Sequence, residues 1–184
     1  YVSGEHVTAV TTHPGMSNGV RSIARLYDLQ QDGAADDQMT FASPTSGDPV
    51  GLSFIVPTTP EDLAQRHAMM RRWAQSTCGM MGRTPDFMNV TMMAMAAAGD
   101  YFAQNRPEFK TNIQNYFEYI RENDLVLTHT LVNLQRDRSP MPMPPQDSTD
   151  VALSVGTATD PRISVPGPRI LAPFARSAGH HDHC

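Results

Sequence analysis

The chain has 184 residues, enough for one ordinary domain with its own core. Lys and Arg number 14 against 19 Asp and Glu, a formal charge of −5 that argues against a nucleic-acid or anionic-membrane partner. The longest nearly uncharged apolar run, residues 90–98, is too short for a bilayer, and two cysteines cannot build a disulfide framework; with no basic, apolar leader the expectation is a cytoplasmic protein.

Residues 1–10 alternate weakly around Gly4-Glu5 and predict a strand, a tight turn and a second strand. Val20, Ile23, Ala24 and Tyr27 fall on one helical face. Residues 30–49 are polar and rich in Gly, Asp and Ser, hence a loop, and Leu52 to Val56 reads as extended. Thr59-Pro60-Glu61-Asp62 is a strong helix start. That helix should run to about Cys78, with Leu63, Met70, Trp73, Ala74 and Thr77 inward. A third helix is predicted from Pro85 to about Ala98, ending at Gly99 and packing through Met88, Met92, Met95 and Ala96. A fourth should run from Pro107 to Asn123, with Phe109, Ile113, Tyr116, Phe117 and Ile120 inward. At Leu125 the period switches to two, predicting a strand to Val132 with His129 on its leucine-lined face. Pro140, Pro142, Pro144 and Pro145 make a semi-rigid connection. Residues 151–155 and 163–165 predict short strands. The order is helical first and β afterwards, an α+β class.

Between the second and third helices lies Cys78-Gly79-Met80-Met81-Gly82-Arg83-Thr84-Pro85-Asp86-Phe87. Gly79 and Gly82 permit a tight turn or close approach to a ligand. Thr84 is the candidate N-cap, Pro85 the first helical residue, and Asp86 suits the positive end of the helix dipole. Arg83 thus sits on a sharp connection that can present a guanidinium to a pocket. Taken by itself it reads first as a solvated surface arginine at a helix turn. His129 reads by spacing as either a satisfied core histidine or a ligand to a substrate hydroxyl.

The run Gly82 to Phe87 resembles the signature of the flavin-dependent 4-hydroxyphenylacetate 3-monooxygenase family, the oxygenase components of two-component phenol hydroxylases. Val10-Thr11-Thr12-His13-Pro14 and Ser22 to Asp28 are similar to that family's N-terminal region. His129, Val132-Asn133 and Asp137-Arg138 resemble its flavin- and substrate-contacting strand. Ordered matches over roughly residues 1–172 are more specific than any one motif.

The resemblance implies an acyl-CoA dehydrogenase-like architecture. It divides the chain into a helical domain with a leading hairpin (1–123), the start of a β domain (124–172) and a divergent tail (173–184). Family members run on past this length, so the chain reads as a truncated or frame-disrupted member. The implied reaction hydroxylates a phenol ortho to its hydroxyl, forming a catechol with dioxygen and FADH2 supplied by a separate reductase. Arg83 and His129 are the implied catalytic pair and, with Phe87, contact the substrate. His129, Thr130, Leu131, Gln135, Arg136, Asp137 and Arg138 are the implied flavin contacts. Many members carry a tyrosine where this chain has Phe87, which leaves phenols other than 4-hydroxyphenylacetate open as substrates. The intact protein is expected to be a homo-oligomer.

Two other readings stand beside this one. A 4-hydroxybutyryl-CoA dehydratase-type flavoprotein would need several cysteine ligands for an iron–sulfur cluster, and Cys78 stands alone in the relevant region. A non-catalytic product of a broken gene would lack the rest of the flavin site. His180-His181-Asp182-His183-Cys184 holds metal-ligand residue types without a scaffold, and no metal is expected.

Overall fold

The computed structural model describes residues 4–32, 39–82 and 84–129, and the backbone of strands at 132–133, 157–159, 162–164 and 169–170. The chain forms two compact units, Tyr1–Leu127 and Thr128–Cys184.

The first unit is helical around a short hairpin. Its elements are α1 (Ser17–Gln31), β1 (Thr40–Ala42), β2 (Pro49–Gly51), a 3₁₀ turn (Leu52–Phe54), α2 (Pro60–Ser76), α3 (Asp86–Ala97), α4 (Gly99–Ala103) and α5 (Glu108–Glu122). Strands β1 and β2 pair antiparallel, with Phe41 opposite Val50. The expected loop at 30–49 therefore contains β1 and the first residue of β2. The expected extended run at 52–56 opens instead with the 3₁₀ turn, closed by Ile55 N–H donating to the Leu52 carbonyl at 3.1 Å. This turn organises the packing. Leu52 joins Leu26, Met39, Met69 and Trp73 in one cluster, while Phe54 joins Met93, Ala96, Phe117 and Ile120 in another. A strand would have put both side chains on one face.

The buried faces of α2 and α3 are rotated from those expected. On α2 they are Arg66, Met69 and Trp73, while Leu63 is 58% exposed and Met70 and Ala74 also face solvent. The indole of Trp73 sets this rotation, donating to the Leu26 carbonyl at 2.9 Å. On α3 they are Asn89, Met93 and Ala96, one residue on from Met88 and Met92, and Met95 is exposed. Gly99 opens α4 rather than ending the third helix in a loop. On α5, Phe117 and Ile120 are buried as expected, Phe109 and Ile113 are half-buried, and Tyr116 is exposed. Ala24 of α1 is exposed, its place in the core taken by Leu26.

Among described residues 4–10 there is an isolated bridge at Glu5 and no hairpin. Residues 125–129 are half-buried without a regular strand. In the second unit β3 (Val132–Asn133) pairs antiparallel with β6 (Arg169–Ile170), and β4 (Thr157–Thr159) with β5 (Arg162–Ser164). The strand expected at 163–165 corresponds to β5, and the one expected at 151–155 lies outside the described residues. No helix among the described residues is long and apolar enough to cross a membrane.

Candidate functional site

The site is built on the turn from α2 into α3. At its start α2 carries a full capping box. The Thr59 hydroxyl accepts from Asp62 N–H at 3.1 Å, and the Asp62 carboxylate accepts from Thr59 N–H at 2.9 Å. That network holds the Asp62 carboxyl below its usual range, the backbone donors of Thr58 and Thr59 contributing most. At its end α2 closes in a Schellman turn. Cys78 takes the left-handed position at φ 52°, its N–H donating to Gln75, and Gly79 N–H reaches back to Ala74 at 2.8 Å. Met80 is 85% exposed, whereas Met81 packs on the Leu26–Trp73 cluster and fixes where the connection leaves the core. Gly79 needs its positive φ of 70°, but Gly82 has no such requirement and an added Cβ there would meet nothing.

Helix α3 begins at Asp86 with Pro85 as its cap residue, so Thr84 is not the N-cap. Its hydroxyl instead donates to the Asp86 carboxylate, because Pro85 occupies the cap position with helical φ and ψ. Phe87, on the first turn, is 42% exposed and offers an aromatic surface beside the connection. Two residues on, Asn89 donates to the Ser53 hydroxyl at 2.8 Å, fully buried, and its own carbonyl oxygen has no partner among the described residues. Arg66 is buried at 6% exposure on the same side of α2 as Met69 and Trp73. Burial lowers its pKa, and the Asp86 carboxylate opposes that shift.

Thr84, Asp86 and Phe87 are thus brought together at one helix start. Arg83 lies outside the described residues, as do Thr130, Leu131, Gln135, Arg136, Asp137, Arg138 and the His-rich C-terminal stretch. His129 belongs to the second unit and is half-buried. Arg66 and the Asn89–Ser53 pair were missed from sequence. The available signal was the spacing Arg66, Met69, Trp73, which puts a cation on the buried stripe of α2.

A family model described as "4-hydroxyphenylacetate 3-hydroxylase N terminal" matches residues 1–179. The chain belongs to this family. It is 44% identical over 94% of its length to the 4-hydroxyphenylacetate 3-monooxygenase oxygenase component of Geobacillus sp., covering 34% of that protein. Against the oxygenase component from Thermus thermophilus the identity is 40%, over 95% of this chain and 35% of the relative. The chain therefore spans about a third of the length of the curated relatives it matches. A crystal structure of the oxygenase component of 4-hydroxyphenylacetate 3-monooxygenase, complexed with FAD and 4-hydroxyphenylacetate, matches with TM-score 0.80 at 40% identity, over 91% of this chain and 34% of that one. An archaeal 4-hydroxybutyryl-CoA dehydratase shares the fold, with TM-score 0.73 at 20% identity.

Proposed function

We propose that this chain carries the phenol-facing part of a flavin-dependent oxygenase component that hydroxylates a phenol to a catechol. The observation that supports this best is the match to the FAD- and 4-hydroxyphenylacetate-bound relative over 91% of the chain. The residue types fit both molecules. Phe87 offers a half-exposed aromatic wall, and Arg83, His129 and Arg138 are donors suited to a phenolate and a flavin phosphate.

Reduced FAD, supplied by a separate reductase, would provide the two electrons with which dioxygen gives one oxygen atom to the ring, the other leaving as water. The protein's task is to bind, orient and polarise. A cation such as Arg83, placed near a phenol oxygen, would lower its pKa from about 10 by roughly 1–3 units and raise electron density at the ortho carbon. His129 would orient a substrate hydroxyl and accept its proton. Phe87 packs on the ring and excludes water. Groups of His129, Thr130, Leu131 and Gln135 to Arg138 would hold the flavin. The intact assembly is a cytoplasmic homo-oligomer in this reading.

An anaerobic titration of the chain with reduced FAD, followed by oxygenated buffer containing 4-hydroxyphenylacetate or phenol, tests the proposal. The isolated chain is expected to form little or no catechol, since relatives are about three times as long. Catechol should appear when the Geobacillus relative carries this chain in place of its matching third, and Arg83→Ala or His129→Ala should abolish it. A chimera that binds reduced FAD yet makes no catechol would overturn the reading in favour of a non-catalytic product.

A further inference from the structure

We propose that Asn89 is a positioning residue whose buried bond to Ser53 fixes the rotation of α3 about its axis, and so sets Phe87 on the outer side of the helix start. What that rotation does for a phenol rests on the reading above, and the rotation itself does not.

Past Asp86, α3 carries no charged residue as far as Ala97, and its polar side chains are Asn89 and Thr91. Thr91 donates back to the Phe87 carbonyl at 3.1 Å, a bond within the helix that any rotation preserves. Methionines at 88, 92, 93 and 95 leave the helix apolar on more than one side, so burial of apolar surface alone does not choose a face. Asn89 does. It donates at 2.8 Å to the Ser53 hydroxyl, and both side chains are fully buried. Ser53 is itself fixed, because its neighbours in the 3₁₀ turn, Leu52 and Phe54, are each packed into a core cluster. The same turn thus offers α3 an apolar partner, Phe54 beside Met93 and Ala96, and a polar one. The Asn89 carbonyl oxygen has no partner among the described residues, and turning the amide over would orphan its NH2 group instead. A half-satisfied buried amide is a poor source of stability beside an apolar pair of the same shape. What it supplies is a single direction, as a lone buried asparagine does in a helix seam. A helix turns about 100° per residue. Rotated by one residue, α3 would bury Met88 and Met92 in place of Asn89 and Met93. Asn89 would leave Ser53, and the Asp86 carboxylate would stand where the Phe87 ring now stands.

Oxidation of the full chain with hydrogen peroxide, read methionine by methionine by tandem mass spectrometry, reports this rotation. Met93 is buried and Met92 half-buried, so Met93 should be the slower of the two in the wild type, while buried Met69 on α2 reports global opening. Asn89→Leu combined with Ser53→Ala replaces the polar pair by apolar side chains. Urea unfolding should find this variant at least as resistant as the wild type. The ratio of Met93 to Met92 oxidation should nevertheless rise at least about fivefold with Met69 unchanged. A pair that served stability alone would give easier unfolding and a rise shared by Met69, and that result would overturn the proposal, as would a wild-type ratio. If the double variant does not fold, Ser53→Ala decides alone, since it removes the acceptor and keeps Asn89, and an unchanged ratio with it would count against the proposal. The assay contains neither flavin nor phenol. A chimera that binds reduced FAD and makes no catechol would sink the functional reading and leave this result standing.

Discussion

Gln30 on α1 donates from Nε2 to Asp124 Oδ2 at 2.8 Å, joining the end of the first helix to the residue that terminates the last. Asp124 occupies the left-handed position after α5 at φ 47°, and Leu125 N–H closes the turn on Ile120 at 3.1 Å. The other carboxylate oxygen, Oδ1, and the nearby Tyr27 hydroxyl are buried without partners among the described residues. Burial pushes the Asp124 carboxyl up against the pull of Gln30, and pushes the Tyr27 hydroxyl up with help from the Asp124 charge.

The sign of the Asp124 effect follows. A carboxyl with a raised folded pKa contributes most below its unfolded value, and that contribution is lost as pH rises through the folded value. Asp124→Asn keeps an acceptor for Gln30, suits the left-handed position and adds a donor for the orphaned oxygens nearby. It should stabilise the protein by about 1 kcal/mol at pH 7. Urea titrations at pH 7 and pH 4 should show the gain shrinking at the lower pH. A larger gain at pH 4 would contradict this account.

Glu122, two residues earlier, behaves in the opposite way. Its carboxylate accepts from Ser43 and Ser46 hydroxyls and from Arg121 Nε, each at 2.7 Å. These bonds pull its pKa from 4.5 down to about 2, the Ser43 bond contributing most. Its stabilisation is present above the ordinary value and is lost as pH falls through the folded one. Glu122→Gln should therefore flatten the loss of stability between pH 4.5 and about 2 while lowering stability at pH 7. Thermal melts across that window would check both limbs.

Cys78 holds a conformation that ordinarily belongs to glycine. A non-glycine residue there costs about 1–2 kcal/mol, only partly offset by the order that a side chain gives the unfolded chain. Cys78→Gly should raise stability by about 1 kcal/mol and leave ligand binding unchanged. Chemical denaturation with a matched binding titration would show whether the thiol has any further role.

Gly51 is a buried glycine where an added side chain would push against a neighbouring side chain rather than against the backbone. A Cβ there would stand 2.7 Å from Gln30 Oε1 and 3.4 Å from Asp124 Oδ1. Gly51→Ala must displace Gln30 and weaken its bond to a charged acceptor, at about 1.5–3 kcal/mol. The loss should nearly vanish in a Gln30→Ala background. A double-mutant cycle measured by urea unfolding would reveal that coupling.

The start of α2 and both ends of α5 were legible in the sequence, whereas the cap of α3 at Pro85 and the rotation of α2 and α3 were not. The capping box at Thr59 and Asp62 is present bond for bond, and α5 lies within a residue of its expected ends at Pro107 and Asn123. Trp73 and Ala96 are buried as expected, but the rest of the α2 and α3 faces was misplaced; on α3, methionines at 92, 93 and 95 make the helix apolar on several sides, so periodicity could not choose between Met88-Met92 and Asn89-Met93. The Trp73–Leu26 bond spans 47 residues, a tertiary contact that no local window contains. At the site, Gly82 to Phe87 pointed to the connection through family resemblance. Arg66 was not singled out, since its burial depends on how α2 packs.

Phe87 gives the sharpest test of substrate preference under the proposed function. It is 42% exposed on the first turn of α3, adjacent to the connection that carries Arg83. Phe87→Tyr retains the ring and adds one hydroxyl. In the proposed site that hydroxyl bonds the phenolic ligand, a net gain of about 0.5–1.5 kcal/mol. The Kd of 4-hydroxyphenylacetate for the chimeric oxygenase should fall about 2- to 10-fold. Benzene derivatives without a hydroxyl should show no such gain, because the new group would have nothing to bond. Equal tightening for both classes would mean that the tyrosine acts by packing alone, and Phe87 would then be a wall of the site rather than a determinant of which phenol it takes.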